Sequence, residues 1–513
     1  MAAWTCAQKL VRGSLIGGLA FTSSQAWLFY RQPCWRSAAF PAPADKSARH
    51  PKAVPAPHAQ TAIVVGAGVA GICTAYMLAK RGFEVLVLDT LDGPASKGSS
   101  SAAAAGGMEI AHKFSAPKDW WTMLLQLMPV GSDYRFFFIS WLDVLPDLFF
   151  WRWLARFAAD SLFASEAHIR SKSDKFLPVV EWGVGETVRV MREVPDLHKA
   201  AHFSEAGAVK VQEADGAGFG LKTKNAKLLT SEEAKLFEPK LAICTEGETR
   251  SFLVDTAGRF GECEGFTKAL AQYCQHQLSV QIAGGTSVHS FEKQGQRIVG
   301  VHTSRGYVEV GDGLLVLCAG AWSGVLCDML GVFCPIYPLK GCTLLVESER
   351  GGGLEHVVQS NVVYAVPAGP RVRIASLGEL GGWSVSLDQS KKDAVVHEAV
   401  RLLPAMEKQI RSCRAVAGLR PFSADETPLV GRIPGFDNVF LNTGPGHTGW
   451  KCSGGFASLL ASVIHSRVQG AQGIESLSSV EIGAVDMLDP VGRLGYALTG
   501  PRLVRSIRSW AIP

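Results

Sequence analysis

The sequence predicts an α/β protein in which a parallel, doubly wound sheet is interleaved with an antiparallel-sheet domain. Three observations carry this reading. Residues 61–89, TAIVVGAGVAGICTAYMLAKRGFEVLVLD, form a strand, a glycine turn, a helix and a second strand. Two apolar strands followed by small or glycine-rich turns, Leu314–Cys318 and Val439–Asn442, return far downstream. Alternating, hairpin-forming sequence lies between them. Pieces of the parallel sheet are thus expected at about 61–115, 256–330 and 415–470. That leaves 165–255 and 335–414 for a substrate domain and 116–164 for an aromatic helical insert.

The first unit is a nucleotide site by its physics. Ile63 to Val65 are apolar and β-branched, as in a strand buried on both faces. Gly66 permits the tight turn, Gly68 lets the backbone approach a pyrophosphate, and Gly71 lets helix and strand pack closely. Val69 and Ala70 open the helix, whose free N–H groups and positive dipole end attract phosphate. Asp89 follows Gly71 by 18 residues, close to the spacing at which a carboxylate meets a ribose hydroxyl. The motif alone does not separate FAD from NAD. The scattering of the sheet over three places fits an FAD domain interleaved with a substrate domain better than a simple NAD dehydrogenase.

Composition bounds the rest. With 513 residues, 47% hydrophobic and 19% charged, the chain buries a large core. The net charge of +5 is concentrated at the start: residues 1–60 hold seven Lys/Arg and one acid. The remainder carries 44 basic against 45 acidic residues, which gives no electrostatic case for nucleic acid. The acid-poor leader and its Pro/Ala linker read as a targeting segment, an organellar (mitochondrial or plastid) transit peptide or an uncleaved anchor across Ser14–Tyr30. Twelve cysteines show no metal-finger spacing, so neither a metal site nor a disulfide framework is expected, and Cys73, Cys318 and Cys342 read as buried thiols.

Further elements follow in order. Residues 96–112, SKGSSSAAAAGGMEIAH, form a small-residue loop suited to close approach by a flat or anionic ligand. Residues 118–160 read as two helices split at Pro146, packed over the body or set against a membrane surface or partner. Residues 167–255 are expected as short strands and charged loops, with a capped helix in SEEAKLFEPKL that breaks at Pro239. Residues 262–276 form a helix, then hairpin strands lead to Leu314–Cys318 and the turn Ala319-Gly320-Ala321, where Gly320 is a second cofactor candidate. Residues 335–390 supply more strands, 391–412 one helix, and a last helix starts at about Gly449. Residues 471–513 read as a basic amphipathic tail. Leu503, Val504, Ile507 and Ala511 share one helical face, flanked by Arg502, Arg505 and Arg508, for a membrane surface, a partner or the body.

The segments YPLKGCTLLV, GLRPFSADETPLVGR and NVFLNTGPGHTGWKCSGG resemble the small-subunit type D-amino-acid dehydrogenases, within the wider D-amino-acid oxidase and glycine oxidase family. The likeness runs from residue 60 to about 470. It implies a glutathione-reductase-like FAD-binding Rossmann domain, with Gly66, Gly68 and Gly71 at the pyrophosphate and Asp89 at the adenosine ribose. Ser100 and Ser101 match the family's loop after the second strand, and Val288 matches a position whose backbone meets the adenine. Gly444, Gly446, Thr448 and Gly449 match the turn that cradles the isoalloxazine.

The implied reaction moves hydride from the α-carbon of an amino acid to flavin N5, and the imine hydrolyses in water. The protein needs no nucleophile. It must orient the α-carbon and tune the flavin. A carboxylate is best held by a planar bidentate cation, and Arg420 in GLRP occupies that position. The last helix would aim its N-terminus at the flavin's pyrimidine edge, with Lys451 either adding charge there or solvated. Two departures stand out. The family's NAG reads Ala104-Ala105-Gly106 here, and its GHGTLGW reads Gly444-Pro445-Gly446-His447-Thr448-Gly449-Trp450. His447 therefore faces substrate or flavin, or bonds locally, and Tyr364 either touches substrate or belongs to the core. Oxygen or a quinone serves as electron acceptor. The alternatives to a D-amino acid are glycine, sarcosine or another secondary amine, or a non-catalytic FAD-binding assembly factor of an organellar membrane complex.

Overall fold

A computed structural model describes residues 60–110, 114, 137–162, 164–213, 226–242, 250–348, 353–469 and 478–496. The leader, the first part of the insert and the Arg-rich end of the tail lie outside these residues.

Apolar, β-branched strands build a six-stranded sheet in the order Leu429–Arg432, Val439–Thr443, Leu314–Leu317, Thr61–Val65, Glu84–Leu88 and Gln281–Ala283. All neighbours are parallel except the first pair. Alternation along the central strand sorts its side chains to two layers. Ala62 and Val64 face helices Val69–Ala79, Glu166–Glu193, Cys263–Gln277 and Ser453–Gln469. Ile63 and Val65 face the antiparallel meander Val288–Gln294, Arg297–Thr303 and Gly306–Glu309. The three scattered pieces thus form one sheet, as the sequence predicts.

The second body is a nine-stranded, mainly antiparallel sheet. Its main path runs Arg414–Ser423, Ile336–Glu347, Arg371–Leu380, Tyr364–Ala368, Val357–Gln359, Ala208–Glu213, Arg250–Asp255 and Ala226–Leu229. One face, with Val209, Leu344, Val358, Ala365 and Ile374, packs on helix Gln389–Leu402. The opposite face looks toward the parallel sheet and the loop 99–109. There Thr343 donates to the Ala103 carbonyl at 2.7 Å and Arg373 to the Ala104 carbonyl at 2.8 Å.

Several expectations need correction. Residues 166–193 are not strands and loops but a 28-residue helix, with Ser165 capping its start and Pro178 inside it. Phe176, Val179, Val180, Val184, Val188 and Met191 recur at helical spacing and bury against the nucleotide body rather than the substrate sheet. A Cβ on Gly455 would lie 2.5 Å from the Gly183 Cα, so two glycines set this helix crossing. The expected single helix 391–412 is Gln389–Leu402 and Glu407–Arg411, parted by a turn at Pro404. The last long helix starts at Ser453, one turn later than expected, and the Gly454 N–H donates to Thr187 Oγ1.

Residues 478–496 are part of the body, not a free tail. Helix Ser479–Leu488 packs into the main core, and Arg493 grips Asp425 with two nitrogens at 2.7 and 2.8 Å. In the insert, Trp141–Val144 and Leu148–Phe157 are separated at Pro146 as predicted. Phe150, Trp153 and Phe157 are buried with Tyr337. The insert also supplies an unforeseen strand, Phe137–Ile139, beside Arg371–Leu380. Among the described residues, no helix is long and apolar enough to cross a membrane.

Candidate active site

A cavity of about 1750 Å³ lies between the two sheets, lined by residues of both. Its nucleotide-domain wall includes a stretch of glycine main chain. Gly66 has φ +112°, and a Cβ there would come within 2.5 Å of the Cys318 carbonyl oxygen, so only glycine makes this turn. A Cβ on Gly71 would overlap the Gly66 carbonyl, which is why the helix can start so close to the strand. Gly68, Val69 and Ala70 open onto the cavity at the helix N-terminus. The Val69 N–H is held by Ser101 Oγ at 2.9 Å, and the first-turn N–H groups beyond it have no acceptor within the helix.

Asp89 lies at the end of the second strand. Its carboxylate accepts the Ala67 N–H and, at 2.7 Å, the Leu91 N–H, while burial raises its pKa. Ser100 donates to the Leu419 carbonyl and so ties this loop to the strand of Arg420. Val288 and Gly320 also line the cavity. Gly320 has φ +58°, and its carbonyl accepts Thr443 Oγ1 at 2.9 Å.

The turn 444–449 divides. Gly446, with φ +52°, and Gly449 line the cavity, and the Gly446 N–H donates to the Pro421 carbonyl at 2.9 Å. Gly444 and Thr448 do not line it. Gly444 turns toward Ile336 and Ser423, and Thr448 is fully buried, its N–H and hydroxyl both donating to the Pro445 carbonyl at 2.8 Å. They shape the turn from behind, a division that spacing does not reveal.

The other wall carries side chains. Arg420 sits on the cavity face of Arg414–Ser423, and its guanidinium lies across Gly341, where a Cβ would collide with it. Burial pulls its pKa below the ordinary arginine value. His447 is exposed and lines the cavity. Burial of this region, with Lys451 and Arg420 adding positive potential, pulls its pKa down to about 4, so the imidazole is neutral at pH 7. Tyr364 is a cavity residue rather than a core one, and its hydroxyl donates to the Glu109 carboxylate. Burial, then Glu109, pushes the phenol pKa well up.

Two contributors, Glu109 and Arg373, escape a reading by motif, and for a third, Lys451, the sequence leaves open a charge at the helix start or a solvated side chain. Glu109 ends the small-residue loop, and its only visible signal is an isolated acid after AAAAGGM. Lys451 is buried, not solvated, and its ammonium donates to the Glu109 carbonyl at 3.0 Å. Arg373 is 1% exposed and pins the loop through the Ala102 and Ala104 carbonyls while pairing with Glu262 at 3.2 Å. In RVRIAS it alternates with Val372 and Ile374, which marks a face but not that the face is buried.

The profile of the family described as FAD dependent oxidoreductase (DAO) matches residues 61–463. The chain belongs to this family. It is 29% identical over 431 residues to a D-amino acid dehydrogenase of Neisseria meningitidis serogroup C, covering 79% of this chain and 96% of that one. It is 27% identical over 423 residues to a D-amino acid dehydrogenase of Rhizobium johnstonii, with 78% and 95% covered. Among solved structures, glycine oxidase from Bacillus cereus superposes with a TM-score of 0.57 at 19% identity, covering 82% of this chain and 98% of that one. L-proline dehydrogenase from P. horikoshii gives 0.59 at 18% identity, covering 85% and 98%. These two likenesses establish the shared fold.

This FAD-dependent oxidoreductase has residues that fit its cofactor. Gly66, Gly68 and the helix start at Val69 provide the side-chain-free cradle a pyrophosphate needs, and the Asp89 carboxylate stands where a ribose would meet it. Asp89, Val288, Gly320 and Gly446 share the cavity with that cradle, so adenine-end and flavin-end candidates lie along one continuous space.

Proposed function

We propose that the chain oxidises the Cα–N bond of an α-amino acid, with D-amino acids as its substrates. The observation that carries this reading is Arg420: a planar, permanently charged fork in the same cavity as the cofactor cradle. The relatives' name and their nearly full-length alignment add support for the D series.

Bound FAD supplies the acceptor for the electron pair. The chain's own groups bind, orient and exclude water. Arg420 holds the substrate carboxylate by two parallel hydrogen bonds, which fixes the α-carbon in one pose. Neutral His447 stands on the turn pinned to Pro421, next to Arg420, and offers a lone pair to the substrate ammonium. Trp322, Trp383, Phe149 and Phe422 form an apolar wall that keeps bulk water from this end.

The test is anaerobic bleaching of the flavin by D-amino acids, L-amino acids and N-methyl amino acids. The reading expects D-amino acids to reduce the flavin fastest. Faster reduction by sarcosine than by D-alanine would move the assignment to a glycine/sarcosine-type amine. No reduction by any amine would remove the amino-acid reading.

A further inference from the structure

We propose that the Glu109 end of the cavity is a subsite for a cationic substrate side chain, so that long basic amino acids are the preferred substrate class. The inference rests on the amino-acid reading above and deepens it.

The cavity walls hold several carboxylates, and most are committed to protein donors. Asp89 takes the Ala67 and Leu91 amides, Asp147 the Tyr337 hydroxyl and the Phe149 amide, and Asp143 the Ser140 hydroxyl. The Glu109 carboxylate differs. Among the described residues its one donor is the Tyr364 hydroxyl, on Oε1, which leaves Oε2 for a ligand; Asp143 also has one donor, but it is exposed to solvent whereas Glu109 is half-buried.

The position of Glu109 is fixed in advance. A Cβ on Gly107 would overlap the Tyr364 phenol, so the glycine makes room for the ring to reach Glu109. Lys451 holds the main chain at the Glu109 carbonyl, 3.0 Å away. A carboxylate positioned by both backbone and side chain loses little freedom when it meets a cation.

The sheet sets the length. Arg420 lies on Arg414–Ser423, and Tyr364 on the strand three steps away across the sheet. At roughly 4.8 Å per step that is about 14 Å across the strands, and the register sets Tyr364 in the row of Val416, four residues along from Arg420, which adds about 13 Å at roughly 3.3 Å per residue. A methyl side chain anchored at Arg420 does not bridge toward Glu109, whereas an aminobutyl or guanidinopropyl chain extends in that direction. A neutral chain of equal length would cover the carboxylate and leave Oε2 without a hydrogen-bond donor of its own. Two features point the other way. The buried Lys451 ammonium already stands beside Glu109 and supplies positive charge there. Lys210, with Gln359, stands in the same cross-strand row as Tyr364, and its ammonium would favour an acidic side chain.

The test uses the flavin-loaded full chain. It compares kcat/KM for anaerobic flavin reduction by D-lysine, D-norleucine, D-2-aminoadipate and D-alanine. The first three differ in end charge and match in reach to within one atom. D-lysine is expected to exceed D-norleucine by about 10-fold or more, and Glu109→Gln to bring that ratio within about threefold of one, whatever happens to the absolute rates. Glu109→Asp should keep part of the ratio. A wild-type ratio near one, a preference for D-2-aminoadipate, or a ratio unmoved by Glu109→Gln would overturn the proposal. Should Glu109→Gln fail to hold flavin, the wild-type ratio and Glu109→Asp decide. If D-alanine reduces the flavin but charge makes no difference, only this subsite falls. If no amino acid reduces it, the amino-acid reading falls and takes the subsite with it.

Discussion

On the nucleotide side of the cavity the cofactor cradle is made of main chain, Gly66, Gly68 and the start of helix Val69–Ala79; a methyl group on Gly66 or on Gly71 behind it collides with backbone, and one on Gly68 meets the Ser101 hydroxyl at 3.2 Å. Elsewhere the wall is made of side chains: Arg420 and Tyr364 reach in from the antiparallel sheet, and His447 and Glu109 from loops facing it. A backbone wall cannot yield, so damage there should remove cofactor and fold together. A side-chain wall can lose one group and stand, so damage there should alter turnover and selectivity while the flavin stays bound.

Gly71→Val should have the largest effect. Its side chain would meet the Gly66 carbonyl, which cannot move without shifting the whole turn. The expected cost is about 3 kcal/mol or more, read as loss of flavin from the purified protein and a fall in Tm. A normal flavin-to-protein ratio would break the contrast between the two walls.

Arg373→Met probes the seam between them. It removes three hydrogen bonds to the loop and to Glu262 and leaves Glu262 unpaired. Breaking such a buried pair costs about 3 kcal/mol. Denaturant unfolding should show that loss together with weakened FAD affinity, since the loop it pins carries Ser101 to the helix start.

The smallest effect concerns pH. The folded His447 pKa, about 4, lies below the roughly 6.5 of an unfolded histidine. Between these values the unfolded chain binds the extra proton. The neutral imidazole's contribution is therefore fully present above about pH 6.5 and is lost as pH falls toward 4. His447→Gln should flatten the Tm profile in that window, measured on flavin-free protein. An unchanged slope would place the imidazole in contact with bulk water.

The two walls also differ in how far the sequence discloses them. Gly66, Gly68, Gly71 and Asp89 could be placed because a phosphate-binding turn is local: strand, glycines and helix are contiguous, and each glycine has one steric task. That 314–318 and 439–442 are further strands of the nucleotide domain is likewise visible in apolar runs followed by small or glycine-rich turns, while their pairing with 61–65 comes from the fold. Glu109 and Tyr364 meet only through a sheet assembled from distant strands, so nothing near either one announces the contact. Gly444 and Thr448 sit inside a recognisable motif, yet turn geometry decides which of its residues face the cavity. The helix 166–193 was hidden because its first turns are charged and exposed and Pro178 reads as a breaker, although the buried stripe beyond it is regular. The buried role of residues 478–496 depends on Arg493 finding Asp425, a long-range ion pair without local signature.

The central claim is that one side chain on the sheet wall, Arg420, holds the substrate while the backbone wall holds the cofactor. Arg420→Lys keeps the positive charge and removes the fork. Charge-assisted hydrogen bonds contribute about 1.5–3 kcal/mol each, and each 1.36 kcal/mol is about tenfold in rate. The account predicts a fall of about 10-fold to 100-fold in kcat/KM for amino acids, with flavin content and Tm nearly unchanged and with much smaller losses for amines that lack a carboxylate. Amino-acid turnover near that of the wild type in an Arg420→Lys protein that retains its flavin would contradict it.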